Sequence, residues 1–281
     1  MSLQNINWYP GHMKKTRELI ASNLKLVDIV IEVIDARIPI SSRNPVIDEL
    51  TAGKQRIIIL NKSDLSDGQE NKRWIEKLSK DGSKVMTLDS MHGVGIKELI
   101  NLMSKIEDDI NKDRVRKKNL RLMIVGVPNV GKSSLINRLT GKKSAKTGDK
   151  PGVTKGKQWL TLSNGMQLLD TPGILWPKFE DEVVGLKLAL TGAIKDQLLP
   201  MDEVTIFGLN YFKTHYPEKL QERFKQMDLE QEAPEIIMEM TQKLGFREDY
   251  DRFYQLFVKN VRDGKLGRYT LDRVGEIDAN D

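Results

Sequence analysis

The sequence predicts an α/β fold, with a mostly parallel sheet covered by helices on both faces, followed by an all-α domain. Short β-branched runs alternate with helical stretches up to about residue 175. This alternation is typical of a parallel sheet with helices on both faces. Beyond residue 180 no strand-like run occurs, and apolar residues recur at helical spacing. We therefore predict two domains, residues 1–178 and residues 179–281.

Each predicted element follows from a local pattern. Apolar, β-branched runs predict strands at 28–35, 56–60, 84–88 and 119–126, and a hairpin of 158–163 with 166–170 that turns at Asn164-Gly165. Helical spacing predicts helices over 13–26 and 68–80, from about 95, and after Lys132. In the second domain it predicts helices near 183–195, 202–214, 217–226, 234–244 and 249–263. Proline is favoured at helix starts, and Pro200, Pro217 and Pro234 lie at three such positions.

Composition excludes several classes of protein. The chain has 281 residues, of which 39% are hydrophobic and 30% charged, as expected of a soluble globular protein. The absence of cysteine excludes disulfides, thiol catalysis and cysteine-ligated metal. We see no signal peptide in MSLQNINWYPGHMKK and no apolar run near the roughly 20 residues that span a membrane. We expect a cytoplasmic protein.

Charge divides the chain unevenly. Residues 180–281 hold 14 Lys and Arg against 21 Asp and Glu, whereas residues 1–179 hold 31 against 19. The basic surplus is concentrated in residues 112–121 and 138–157. Such stretches can neutralise nucleic-acid phosphates, but solvated lysines that only aid solubility explain each stretch equally well.

Residues 126–133 read GVPNVGKS, a complete phosphate-binding loop between a predicted strand and a predicted helix. Gly126 and Gly131 leave backbone N–H groups exposed for phosphate oxygens. Lys132 is expected to reach the β- and γ-phosphates, and Ser133 to ligate Mg²⁺. The remaining residues assigned to the nucleotide here are Asn129, Val130 and Ser134.

Residues 61–64 read NKSD and follow an apolar strand. The Asp64 carboxylate can accept hydrogen bonds from guanine N1–H and the 2-amino group, which adenine does not offer. Asn61 would support the base and the phosphate loop, and the Lys62 stem would pack over the ring. Ser90, after the next strand, is the expected contact for guanine O6.

Residues 170–173 read DTPG, and residues 150–154 read KPGVT. Asp170 would hold Mg²⁺ through water, and the Gly173 N–H would meet the γ-phosphate. Thr154, between the phosphate loop and DTPG, suits a second Mg²⁺ hydroxyl in a first switch loop; a simple turn at Pro151-Gly152 is the alternative interpretation. Together the three motifs predict a GTPase domain.

The motifs occur in permuted order. In an ordinary GTPase N-K-x-D follows the other two motifs, but here it precedes both. The cyclic order is unchanged, which predicts a circularly permuted P-loop GTPase domain. This order, together with DARIP (35–39) and WYPGHMKK, resembles the bacterial ribosome biogenesis GTPase A (YlqF) family over essentially the whole chain. The resemblance implies a cytoplasmic GTPase that assists late assembly of the large (50S) ribosomal subunit and a helical domain that contacts ribosomal RNA.

Hydrolysis needs a water-positioning group, and Ile174 stands where Ras-like enzymes carry glutamine. The resemblance makes His12 the candidate substitute; a structural or RNA-contacting turn is the alternative. Asn129 resembles the asparagine of potassium-activated GTPases, where K⁺ offsets transition-state charge. A local turn hydrogen bond is the other interpretation.

The expected mechanism is docking on RNA in the GTP state, followed by hydrolysis and release, with low intrinsic activity that the ribosome stimulates. The expected RNA-binding residues are Lys142, Lys143, Lys146, Lys259, Arg262, Lys265 and Arg268. We expect a monomer that binds neither DNA nor a membrane. The alternative is a guanine-nucleotide sensor for a protein partner with negligible catalysis. A GTPase for tRNA modification or membrane work is disfavoured, because no modification domain or membrane anchor is visible.

Overall fold

The computed structural model describes residues 11–141, 159–175 and 181–278, without the side chains of residues 11–13, 198, 277 and 278. Six strands form one sheet: β1 (Ile29–Asp35), β2 (Gln55–Asn61), β3 (Lys84–Leu88), β4 (Arg121–Val125), β5 (Trp159–Thr161) and β6 (Gln167–Asp170). The strand order is β3-β2-β1-β4-β6-β5. Every pairing is parallel except that of β5 with β6. The predicted parallel α/β sheet is confirmed.

The helices of the first half are α1 (Gly11–Asn23), α2 (Pro45–Thr51), α3 (Gly68–Leu78), α4 (Ile96–Asn111) and α5 (Lys132–Thr140). The sequence did not predict α2, which is only seven residues long. Its start signal is nevertheless present, because the Asn44 side chain accepts from Val46 N and Pro45 occupies the first turn. The expected first helix ends earlier than predicted and continues as a 3₁₀ turn, Leu24–Leu26.

Only helices are described between residues 181 and 278: α6 (Glu182–Thr191), a 3₁₀ turn (Asp196–Leu198), α7 (Met201–His215), α8 (Pro217–Arg223), α9 (Ala233–Lys243), α10 (Tyr250–Arg262) and α11 (Val274–Asp278). Helix α6 ends at Gly192, which adopts a left-handed conformation with φ 86°. Within the described residues no helix is long and apolar enough to cross a membrane. The change from a sheet to helices confirms the all-α segment that the sequence predicts beyond residue 180.

One apolar core joins the two halves of the chain. The same buried cluster contains Val33 of β1, Leu190 of α6 and Phe257 of α10. A smaller cluster on β1 and β2, which includes Trp74 of α3 and Ile34 of β1, covers a second part of the sheet. Burial of this kind is the main stabilising contribution to such folds.

Residues 268–273, between α10 and α11, return to the sheet; we call them the return segment. Tyr269 N donates to Leu65 O at 3.1 Å, and Leu271 N donates to Arg37 O at 2.7 Å. The carboxylate of Asp272 accepts from Ser41 N at 2.7 Å. The return segment therefore hydrogen-bonds to the loops that follow β1 and β2.

Candidate nucleotide-binding site

The predicted nucleotide motifs meet at one edge of the sheet. NKSD and DTPG begin at the last residues of β2 and β6, Asp89-Ser90 follows β3, and the phosphate loop follows β4. These strands run parallel, so their carboxyl ends share an edge, which is where open α/β sheets bind ligands. The permuted motif order therefore leaves the spatial arrangement of the motifs intact.

The phosphate loop contains backbone conformations that suit glycine. Gly131 has φ 99°, and Gly126 has φ 147°. A Cβ atom on Gly126 would lie 2.3 Å from Val33 O, and one on Gly131 would lie 2.1 Å from Asn61 Nδ2. Lys132, Ser133 and Ser134 form the first turn of α5, so their backbone N–H groups belong to a helix N-terminus, which favours anions.

Lys132 is buried and turned back onto its own loop. Its Nζ donates to Gly126 O at 2.9 Å and to Val127 O at 2.7 Å. Burial lowers the pKa of the Lys132 amine to about 8, and the Asp170 carboxylate opposes that shift. An ammonium group binds a charged phosphate oxygen more strongly than it binds carbonyl oxygens. A bound phosphate is therefore expected to replace the two carbonyls as the partner of the Lys132 amine.

Asn61 connects three of the motif loops. Its Nδ2 donates to Val130 O at 2.6 Å and to Ser90 Oγ at 3.0 Å. Its Oδ1 accepts from Ser90 N at 3.0 Å. The side chain is fully buried. The phosphate loop and the two base-side loops are therefore held in a fixed relation by one amide.

On the base side, Lys62 has φ 61° and donates from Nζ to Asp35 Oδ2 at 2.9 Å. Burial lowers the pKa of the Lys62 amine. Asp64 is partly exposed, which is compatible with its predicted role in reading a base. The sequence assigned no role to Asp35, although an acid at the end of a strand in such a sheet was a usable signal.

The Ser90 loop has supports that the sequence reasoning missed. Asp89 accepts from Met91 N and His92 N, and its second oxygen lies 2.6 Å from His92 Nδ1. Arg138 of α5 donates to Ser90 O at 3.2 Å and also to Met91 O. These contacts fix the backbone that would face guanine O6.

DTPG lies directly on the phosphate loop. A Cβ atom on Gly173 would be 2.7 Å from Pro128 N, and Ile174 N donates to Gly126 O at 3.3 Å. Asp170 and Ser133 are both partly exposed at this edge. A carboxylate and a hydroxyl are oxygen donors of the type that Mg²⁺ prefers, so the residues present fit that ion. Thr154 lies outside the described residues.

Ile174 is 1% exposed and packs in the core, and its carbonyl accepts from Asn44 Nδ2 at 2.9 Å. It therefore offers no polar group to an attacking water. His12 lies in the first turn of α1, and its side chain is outside the described part of the chain. Asn129 adopts φ 59° and donates from Nδ2 to Gly192 O at 2.8 Å, at the end of α6.

The expected RNA-binding residues differ in their surroundings. Lys259 is 68% exposed and pairs with Asp263 at 2.8 Å, and Lys265 is exposed. Arg268 is exposed but donates to Asp64 O at 3.1 Å. Arg262 caps α6 by donating to Ala189 O at 2.7 Å and pairs with Asp196, which commits most of its donors. Lys142, Lys143 and Lys146 lie outside the described residues.

Comparison with known proteins agrees with this geometry. A family model described as "50S ribosome-binding GTPase" matches residues 121–241, and one described as "RsgA GTPase" matches residues 10–180. The Ribosome biogenesis GTPase A of Priestia megaterium is 45% identical over 288 residues, covering 97% of this chain and 98% of the relative.

Two solved structures of YlqF have a similar fold over 92% of this chain. A GDP-bound structure has a TM-score of 0.69 at 30% identity, with 99% of that chain covered. A GNP-bound structure from T. maritima has a TM-score of 0.65 at 31% identity, with 98% of that chain covered. With its phosphate loop, DTPG and NKSD at one sheet edge in permuted order, the chain belongs to the ribosome biogenesis GTPase A (YlqF) family and is a GTPase.

Proposed function

We propose that this GTPase is a cytoplasmic assembly factor for the large ribosomal subunit, which docks on ribosomal RNA in the GTP state and leaves after hydrolysis. The names of its relatives, Ribosome biogenesis GTPase A, and the matching family description, 50S ribosome-binding GTPase, support this role. In this proposal residues 1–178 form the GTPase domain, and residues 179–281 form the RNA-binding domain. The protein acts as a monomer and binds neither DNA nor a membrane.

The single observation that carries the switch mechanism is that two of the nucleotide motifs, the phosphate loop and NKSD, contact the helical half. Asn129 of the phosphate loop donates to the carbonyl of Gly192 at the end of α6, and the backbone carbonyl of Asp64 in NKSD accepts from Arg268 in the return segment. A change at the phosphates or the base therefore reaches the helical half through direct hydrogen bonds, without a long chain of intermediates. Of the predicted RNA-binding residues in this half, Lys259, Lys265 and Arg268 are exposed and available to RNA.

The experiment that tests the role measures GTP turnover with and without purified large ribosomal subunits in K⁺ buffer. Strong stimulation, together with salt-sensitive co-sedimentation with the subunits in the GTP state, is the expected result. Absence of both would contradict the ribosomal role.

Within this proposal Ser133, Thr154 and, through water, Asp170 would hold Mg²⁺. The ion would offset phosphate charge in the transition state, and Lys132 and the Gly173 N–H would act beside it. Asn129 would help to hold K⁺ through its side-chain carbonyl. The bond from Asn129 Nδ2 to Gly192 O leaves Oδ1 available for that purpose.

His12 is proposed to orient the attacking water once the N-terminal segment docks on the ribosome. Burial of Ile174 supports the need for a group from elsewhere in the chain. Unchanged ribosome-stimulated turnover in a His12→Ala variant would rule out this role.

The second candidate is a guanine-nucleotide sensor that binds a protein partner with negligible catalysis. The buried Ile174 and the 14 to 21 ratio of basic to acidic residues in the helical half favour it. Tight nucleotide binding without turnover, with or without large subunits, would establish this function instead.

A further inference from the structure

A buried arginine, Arg37 of the DARIP sequence, lies beside the guanine motif and is not part of it. Its guanidinium holds the Asp35 carboxylate through two bonds, Nε to Oδ1 at 2.9 Å and Nη2 to Oδ2 at 2.7 Å. The two side chains are only 1% and 4% exposed. Burial acts to raise the pKa of Asp35, but Arg37 and Lys62 outweigh it and hold that pKa below its ordinary range. Asp35 is therefore a fixed carboxylate anion.

The Asp35 carboxylate is also the anchor of Lys62. Its Oδ2 accepts from Lys62 Nζ at 2.9 Å while it accepts from Arg37 Nη2. A planar, two-bond contact with arginine fixes the rotation of a carboxylate, because turning it breaks both bonds. The position of the Lys62 ammonium, and with it the path of the Lys62 stem, therefore depends on the orientation of the Arg37 guanidinium.

The remaining donors of Arg37 bind the helical half. Nη1 donates to the Tyr269 hydroxyl at 3.0 Å, and Nη2 donates to Thr191 O at 3.0 Å at the end of α6. Tyr269 is fully buried and donates in turn to Val261 O of α10 at 3.3 Å. The guanidinium is thus held from both sides, by Asp35 of the sheet and by Thr191 of α6 and Tyr269 of the return segment.

We propose that Arg37 is a positioning residue for guanine binding: through Asp35 it holds the Lys62 stem over the base, and Tyr269 of the helical half sets its orientation. The inference rests on the proposed assignment of NKSD as the guanine-reading motif. The Arg37 side chain is buried, so its effect on nucleotide affinity passes through Lys62. The helical half thereby contributes to guanine affinity without a nucleotide contact of its own.

The test uses a double-mutant cycle on the full-length protein, with GDP affinity measured by calorimetric titration. Tyr269→Phe removes only the hydroxyl that orients Arg37, and we expect it to weaken GDP binding about three- to tenfold. Lys62→Met is expected to weaken GDP binding as well. The double variant is expected to bind GDP no more weakly than Lys62→Met alone, because both changes act through the same contact.

Tyr216→Phe is the matched control. The Tyr216 hydroxyl also bonds the return segment, accepting from Thr270 N at 3.1 Å, but it does not contact Arg37. The Tyr216→Phe variant is expected to lose stability as Tyr269→Phe does. Its GDP affinity should stay within about twofold of the parent, because the hydrogen bond that it loses lies outside the Arg37 network. Arg37→Lys, which keeps the charge and loses the two-bond fork, is expected to reproduce the affinity loss of Tyr269→Phe.

Two results would overturn the role of Arg37 while leaving the guanine assignment of NKSD intact. One is an equal loss of GDP affinity in Tyr269→Phe and Tyr216→Phe. The other is a loss of GDP affinity in the double variant that equals the product of the losses in the two single variants. A Lys62→Met variant that binds GDP like the parent would instead overturn the guanine assignment on which the inference rests. Turnover at saturating GTP is expected to stay unchanged in Tyr269→Phe, with the defect confined to KM.

Discussion

Asn129 of the phosphate loop donates a hydrogen bond of 2.8 Å to the backbone carbonyl of Gly192, the residue that caps α6. The two residues are 63 positions apart and belong to the GTP-binding and helical halves. Because the amide nitrogen is held, the amide oxygen has a fixed direction. The phosphate loop is therefore oriented in part by the helical half of the protein.

The first prediction concerns the monovalent cation. We expect GTP turnover to be faster in K⁺ than in Na⁺, and Asn129→Gly to remove most of that difference. A suitably placed cation lowers the barrier by offsetting transition-state charge, an effect on the order of tenfold or more in rate. Glycine is the appropriate replacement, since Asn129 has φ 59° and glycine adopts that conformation without strain.

The measurement is steady-state turnover at equal ionic strength with either ion. Asn210→Gly, on the exposed face of α7, is the control and should keep the K⁺ preference. Equal rates in the two salts for the parent protein would end the potassium hypothesis.

The second prediction is that nucleotide binding takes up a proton above neutral pH. Burial lowers the pKa of Lys132 to about 8 in the protein without nucleotide. Phosphate oxygens favour the charged amine and raise that pKa, so binding must protonate the fraction that is neutral. Affinity should therefore be flat below pH 8 and fall by up to about tenfold per pH unit above it.

Calorimetric titration of GDP at pH 8.5 in buffers of different ionisation heat measures this uptake directly. Lys62→Met is the control, because Lys62 is a second, half-buried amine at this edge of the sheet whose pKa is also lowered by desolvation. Uptake that persists in Lys62→Met belongs to Lys132. Zero uptake in the parent protein would contradict the prediction.

The third prediction is that Lys132→Met stabilises the nucleotide-free protein while abolishing GDP binding. The Lys132 pKa is depressed in the folded state, so burying its charge costs stability at neutral pH. Replacement by an apolar side chain of similar length should raise the free energy of unfolding by about 1–3 kcal/mol at pH 7. The gain should shrink as the pH rises from 8 toward the ordinary lysine pKa of 10.5.

Urea unfolding at pH 7 and pH 9.5 measures that gain. Lys225→Met, at an exposed position, should change stability little at either pH. A Lys132→Met protein that is less stable than the parent at pH 7 would show that the two carbonyl bonds outweigh the cost of burial.

The fourth prediction concerns Gly131. An alanine Cβ there would lie 2.1 Å from Asn61 Nδ2 at a backbone φ of 99°. We expect Gly131→Ala to displace Asn61, lose GTP binding and lower stability by more than about 2 kcal/mol. Gly53→Ala shares a positive φ of 80° but meets nothing within 4 Å, so it should lower stability by about 1 kcal/mol and leave binding intact. Comparable GTP affinities for the two variants would contradict this prediction.

Much of the site was predictable because its chemistry requires fixed residue types at fixed local spacing. GVPNVGKS needs its glycines for close phosphate approach, and NKSD needs its carboxylate for guanine. The parallel sheet was equally predictable, since buried parallel strands need near-continuous apolar runs such as IIIL at residues 57–60 of β2. Short helices such as α2 escaped prediction, because seven residues span too few turns to show a periodicity.

The contacts between distant parts of the chain were not predictable. Arg37 and Tyr269 are 232 residues apart, and nothing in the sequence near either one indicates the other. Arg262 is one of the residues that the sequence predicts to bind RNA, and in the fold it caps α6 and pairs with Asp196. A basic residue has the same sequence signature whether its donors face solvent or backbone carbonyls.

By itself, the sequence determined the fold class, the permuted motif order and the nucleotide chemistry, because these depend on periodicity and on short motifs whose residues act within one loop. Only the tertiary structure decided how the loops support one another: Asn61 joining three of them, Arg37 fixed between Asp35 and Tyr269, and Asn129 held by Gly192. The physical reason is that a buried hydrogen-bonding group must find its partner in space, and folding brings that partner from any distance along the chain.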